Sequence, residues 1–232
     1  MPIDIDGEAN VGTINEIVRT LFGESAQTVD IVILLTILTL LPSILMMLTG
    51  FTRIIIVLSF IRQALGMQQT PPNQILIGLA LFLTFFVMQP VLSQVYDDAY
   101  VPFSEGQIEQ EEFIERAMGP TREFMLYQAN ETDLNFFISM SGQDFNETDL
   151  EDIPNSVLIP AFITSEIKTA MFIGFFIYLP FIVVDMIVAS TLMSMGMMML
   201  PPAMISLPFK VLLFVMVDGW QLIIGSLFTS FL

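Results

Sequence analysis

The chain has 232 residues, 54% of them apolar, and sets 24 acids against seven Lys and Arg for a net charge of −17. Charged residues make up 13% of it, against about 25% in a soluble domain, and no basic stripe exists for nucleic acid, which needs clustered cations to displace counterions. Cys and His are absent, which excludes disulfides, Cys-ligated zinc and every nucleophile activated by a His base.

Residues 1–30 hold six acids and Arg19. The opening MPIDIDGEANVG has no basic stretch and no apolar run follows before residue 31, so no cleavable signal peptide is expected. Residues 31–96 carry only Arg53 and Arg62. Ile31 to Thr52 and Ile75 to Tyr96 are each 22 residues without a charge, long enough to cross a hydrocarbon core of about 30 Å. A single helix from Asp30 to Leu65 would be roughly 54 Å long, well beyond one bilayer. Pro42 and Gly50 lie inside that stretch, and Pro90, Pro180, Gly196 and Pro208 interrupt the later ones. Bent, hairpin-like helices covered by protein or a water-filled cavity are the expected solution. GMQQTPPNQ, residues 66–74, reads as a turn, and Arg53 and Arg62 beside it mark the cytoplasmic side.

Residues 97–165 hold fifteen acids against Arg116 and Arg122. FSEGQI places Ser104 as a helix N-cap with Gln107 as its capping-box partner, and Phe103 and Ile108 as a hydrophobic staple. Gly119–Pro120 should end that helix, with Thr121 and Thr132 capping two more. The reading is a small helical acidic domain on the extracytoplasmic side. The two NET triplets, at Asn130 and Asn146, read as polar loop rather than as glycosylation sites.

The tract from Thr169 to Leu232 is broken only by Asp185, Lys210 and Asp218, and Pro201–Pro202 divides it into two helices. Asp185 and Lys210 must each face a partner or a cavity, because a charge at membrane depth costs at least about 2.5 kcal/mol. Their distances from the prolines differ, so pairing across subunits is as good a reading as pairing within the hairpin. Asp185 and Asp218 lack the Gly-x-Gly-Asp context of an intramembrane aspartyl protease. The phenylalanine-rich runs GLALFLTFFVMQP and GFFIYLPF read as core or lipid-facing. MSMGMMMLPP, residues 193–202, crowds five methionines before the prolines. Thioethers could serve Cu(I), fill a core, or form a deformable surface that remoulds around varied partners.

FTRIIIVLSFIRQALGMQQTPPNQILIGLALFLTFF, PAFITSEIKTAM, MGMMMLPPAMISLPFK and VDGWQLIIGSL together resemble the FliP/SctR family over residues 33–232. FTRIIIV and the long acidic segment lean towards its flagellar branch. The resemblance implies a core subunit of the bacterial type III export gate in the cytoplasmic membrane, at the flagellar basal body. It further implies several copies, five in the family's usual description, joined to FliQ-like and FliR-like subunits around a channel for unfolded flagellar proteins. Met197, Met198 and Met199 would stand at the channel constriction, and Asp185 and Lys210 would form an inter-helix or inter-subunit bridge. No enzymatic activity, cofactor or nucleic-acid partner is implied. The expected architecture is an all-α integral membrane protein with about four long, broken apolar helices in hairpins and a small acidic insert. Its divisions are 1–30, 31–96, 97–165 and 166–232. The alternative reading is a small-molecule, ion or Cu(I) membrane transporter.

Overall fold

A computed structural model describes residues 28–67, 69–142, 153–197 and 200–231. Among the described residues the regular structure is helical throughout, and the chain is an all-α membrane protein. The described residues from Met46 onward form one compact unit.

Helix α1 spans Thr28–Leu48 and keeps Pro42 inside it. Along it Leu35, Leu38, Leu40, Met46 and Met47 are exposed. The chain breaks at Thr49–Gly50, and α2 runs from Phe51 to Ala64. Phe51, Ile54, Val57, Leu58, Ile61 and Ala64 are all buried. They recur every three or four residues and so line one face of the helix. That face packs on α3, Asn73–Val95, and on α7, Asn155–Ser194. Gly174 of α7 lets the two helices approach, because a Cβ there would lie 2.5 Å from the Phe60 ring.

α3 does not stop where the acidic segment begins. It passes through a π-helical turn, Tyr96–Tyr100, into the short α4, Val101–Ser104, giving 32 continuous helical residues. Ser104 therefore ends a helix, its hydroxyl donating to the Val101 carbonyl. Gln107 donates to Glu105 instead of closing a capping box, and Phe103 packs on Phe113, with ring centroids 4.8 Å apart, rather than stapling Ile108. α5, Gln110–Gln128, carries Pro120 in its interior, so neither Gly119–Pro120 nor Thr121 marks an end. The cap of α6, Glu131–Ser141, is Asn130, whose side chain accepts from the Thr132 amide. Asn146 lies outside the described residues. Met125, Leu134, Val157, Leu158, Ala161 and Phe162 form a second core where α5 and α6 meet the start of α7.

At 40 residues α7 is roughly 60 Å long, twice a hydrocarbon core, and it keeps both Pro160 and Pro180 within it. It runs uninterrupted across the 165/166 division. It ends in a Schellman cap: Gly196 has φ +75°, its N–H donates to Met193, and the Met197 N–H reaches back to Leu192. α8, Pro202–Met216, then bends by 64° into α9, Gly219–Thr229, at a break the sequence reading had not placed. Asp218 makes that break with φ 50°, in the left-handed region. Among the described residues, two helices are long and apolar enough to cross a membrane, or up to four if each bent pair is one span.

Candidate functional site

Among the described residues, three polar clusters tie α7 to its neighbours, besides the hydrogen bond from Arg122 to Asn155 at its first residue. The deepest centres on Arg53 of α2 and Glu166 of α7, which are 2% and 0% exposed. The guanidinium Nε donates to Glu166 Oε2 at 3.1 Å, and Nη2 donates to Oε1. Nη2 also reaches Gln128 Oε1 at 2.9 Å, while Nη1 donates to the Ser230 carbonyl at 2.6 Å and to its hydroxyl at 3.1 Å. All five N–H groups of the guanidinium are thereby used. The Phe231 ring lies 4.1 Å from Arg53 Cζ, and the Phe231 carbonyl accepts from Gln128 Nε2. One arginine thus joins α2, α5, α7 and the residues after α9. A bidentate, fully satisfied pair is the arrangement in which two charges tolerate removal from water.

The second cluster joins α6 to α7. The Ser165 hydroxyl accepts from the Asn130 N–H at 2.9 Å and donates to buried Asp133 at 3.0 Å, whose other oxygen takes Lys168. The third joins α7 to α8. Asp185 Oδ2 lies 2.6 Å from Lys210 Nζ, and Oδ1 accepts from the Ser206 hydroxyl at 2.6 Å. Ser206 and Lys210 stand one turn apart on α8, so one carboxylate spans both. Lys210 is 7% exposed and Asp185 41%. The sequence register left open whether these two charges pair within a chain, and here they do.

Arg53 thus sits in a buried brace, in the first turn of α2. Arg62 is at the end of α2, donating to the Asn73 side chain and the Pro71 carbonyl. Sequence reading passed over Glu166, Asp133, Ser165 and Ser206. A signal existed for Glu166: Arg53 has no acid within reach on its own apolar helix, and such a charge requires a distant partner.

Met193, Met195 and Met197 project from the α7–α8 junction, and all three are exposed, Met197 at 39%. Met198 and Met199 lie outside the described residues. The phenylalanine-rich runs also turn outward: Phe82, Phe85, Phe86, Phe172, Phe175 and Phe176 are exposed, Phe82 at 78%. An apolar surface of that extent belongs against a membrane or a partner.

Long apolar helices, internally paired charges and outward-facing aromatics define an integral membrane protein. Comparison narrows the class. The FliP family model matches residues 34–227, and the chain belongs to the FliP family. It is 58% identical to the flagellar biosynthetic protein FliP of Pectobacterium carotovorum subsp. carotovorum over 88% of this chain and 79% of that one. The protein of the same name in Bacillus subtilis is 52% identical, over 89% and 93% respectively. That of Cereibacter sphaeroides is 53% identical, over 88% and 67%.

Proposed function

We propose that the chain is a channel subunit of the flagellar protein-export gate, multi-pass in the bacterial cytoplasmic membrane at the flagellar basal body, and that it catalyses no reaction. The family match over residues 34–227 carries this reading, together with relatives named for flagellar biosynthesis. Several copies, five in the family pattern, would assemble with FliQ-like and FliR-like subunits and pass unfolded flagellar proteins. The exposed aromatic surface supports assembly, since a lone chain in water would leave it bare.

In this reading Met197, Met198 and Met199 ring the narrowest point. Unbranched thioether side chains deform around varied cargo and close again behind it. The Asp185–Lys210 bridge holds α8 against α7 and so sets where the methionine loop stands. The acidic segment 97–165 lies outside the membrane and serves assembly, and Arg62 marks the cytoplasmic side. Native purification with the neighbouring gene products tests the class: a defined oligomer containing FliQ-like and FliR-like subunits is expected. A motile strain in which the chain stays a free monomer would contradict it.

A further inference from the structure

Four exposed thioethers stand around the α7–α8 junction: Met193 at 63%, Met195 at 71%, Met197 at 39% and Met204 at 72%. Met193 and Met195 precede the left-handed turn at Gly196, Met197 follows it, and Met204 lies in the first turn of α8. Six of the twelve residues from Met193 to Met204 are methionine, and none of the twelve carries a charge. Met88 and Met125, by contrast, are buried, and Met140 is the single methionine of α6.

The chain has no Cys. An oxidant that a thiol would ordinarily consume therefore meets thioether sulfur as the softest nucleophile present. Sulfoxidation turns a flexible apolar side chain into a polar one and is reversed by dedicated reductases. In an uncharged segment that is half methionine, the oxidation state of sulfur is what changes its polarity. Several thioethers at one junction make the change additive, whereas a lone exposed methionine such as Met140 alters little around it.

We propose, on the reading of this loop as a seal, that Met193, Met195, Met197 and Met204 are a reversible oxidation site for two-electron oxidants of the hypochlorous acid class, and that their sulfoxides open the seal to water. The sulfur lone pair takes the oxygen, chlorine leaves as chloride, and the hydroxyl proton is released. Sulfur loses two electrons and chlorine gains them. A hydrophobic constriction stays shut by excluding water, and the sulfoxide oxygens are acceptors that hold water there. Reduction by methionine sulfoxide reductases returns the thioethers and with them the closure.

The test titrates the full-length chain, reconstituted in vesicles with the subunits it assembles with, with hypochlorous acid. Peptide mass mapping should find sulfoxide at the four methionines at doses that leave Met88 and Met125 unchanged. Ion leak should rise severalfold at those doses and return to its starting level after treatment with the reductases. Leu at all six methionines of residues 193–204 keeps the volume without the sulfur, and oxidant should then raise no leak. An unchanged leak while the four are sulfoxides would overturn the proposal, as would an equal rise in the Leu variant. So would protection of the four at doses that oxidise Met140. Ala at Met197, Met198 and Met199, measured untreated alongside, tests the seal itself. A leak there with none on oxidation refutes the redox site alone, and no leak in either refutes the seal as well.

Discussion

Arg53 shows what a single buried charge does in an apolar fold. Its five N–H groups tie α2 to three other segments of the chain, and Glu166 supplies the compensating charge with both oxygens. Removing one partner leaves the other buried and unpaired, at about 3–5 kcal/mol. Glu166→Ala is therefore expected to lower the thermal midpoint sharply, read by tryptophan fluorescence or protease resistance in detergent. The double change Arg53→Met with Glu166→Leu should recover much of the loss, because two apolar groups need no partner. A double variant no better than the single one would show that the hydrogen bonds to Gln128 and Ser230, not the charge balance, set the stability. Asp185 differs because it is partly exposed. Lys210→Ala leaves a carboxylate that keeps Ser206 and some solvent, whereas Asp185→Ala strands a buried ammonium. Asp185→Ala should be the more damaging of the two in a motility or export assay.

At the scale of helices, close approach and termination decide the arrangement. Gly174→Val places methyl groups where the Phe60 ring stands, and overpacking of this kind costs about 1–3 kcal/mol. Pairing it with Phe60→Leu should restore part of the lost thermal stability. Absence of any rescue would mean that α2 and α7 separate for another reason. The helices themselves were legible in the sequence because uncharged runs of 22 residues have few other fates. Their ends were less so. Pro120, Pro160 and Pro180 stay inside helices, since packing on neighbouring elements outweighs a lost backbone bond. The Ser104 capping box failed because α3 carries its helical geometry through Tyr100 into the very residues expected to start a new one. The elbow at Asp218 was hidden because a non-glycine residue in left-handed backbone leaves little local trace. Of the polar clusters, Asp185 and Lys210 stood out as lone charges in an apolar tract. Glu166 and Asp133 did not, because their surroundings in sequence are ordinary and only the fold brings their partners near.

For the whole molecule, the outward-facing phenylalanines and the paired interior charges invert the plan of a soluble protein and fit a membrane protein. Within the export reading, the methionine loop is the one place where chemistry meets cargo. Replacing Met197, Met198 and Met199 with Ala should open a gap and let cells leak ions without unfolding the chain. Leu in their place should keep closure better than passage, since volume is preserved and compliance is not. The most direct measurement is photocrosslinking of a flagellar export substrate stalled in transit. A photoreactive residue at Met197 should crosslink to the stalled cargo, while one at Met140, exposed on α6, should not. Strong crosslinking at Met140 with none at Met197, in cells that still export, would contradict a channel that closes on its methionines.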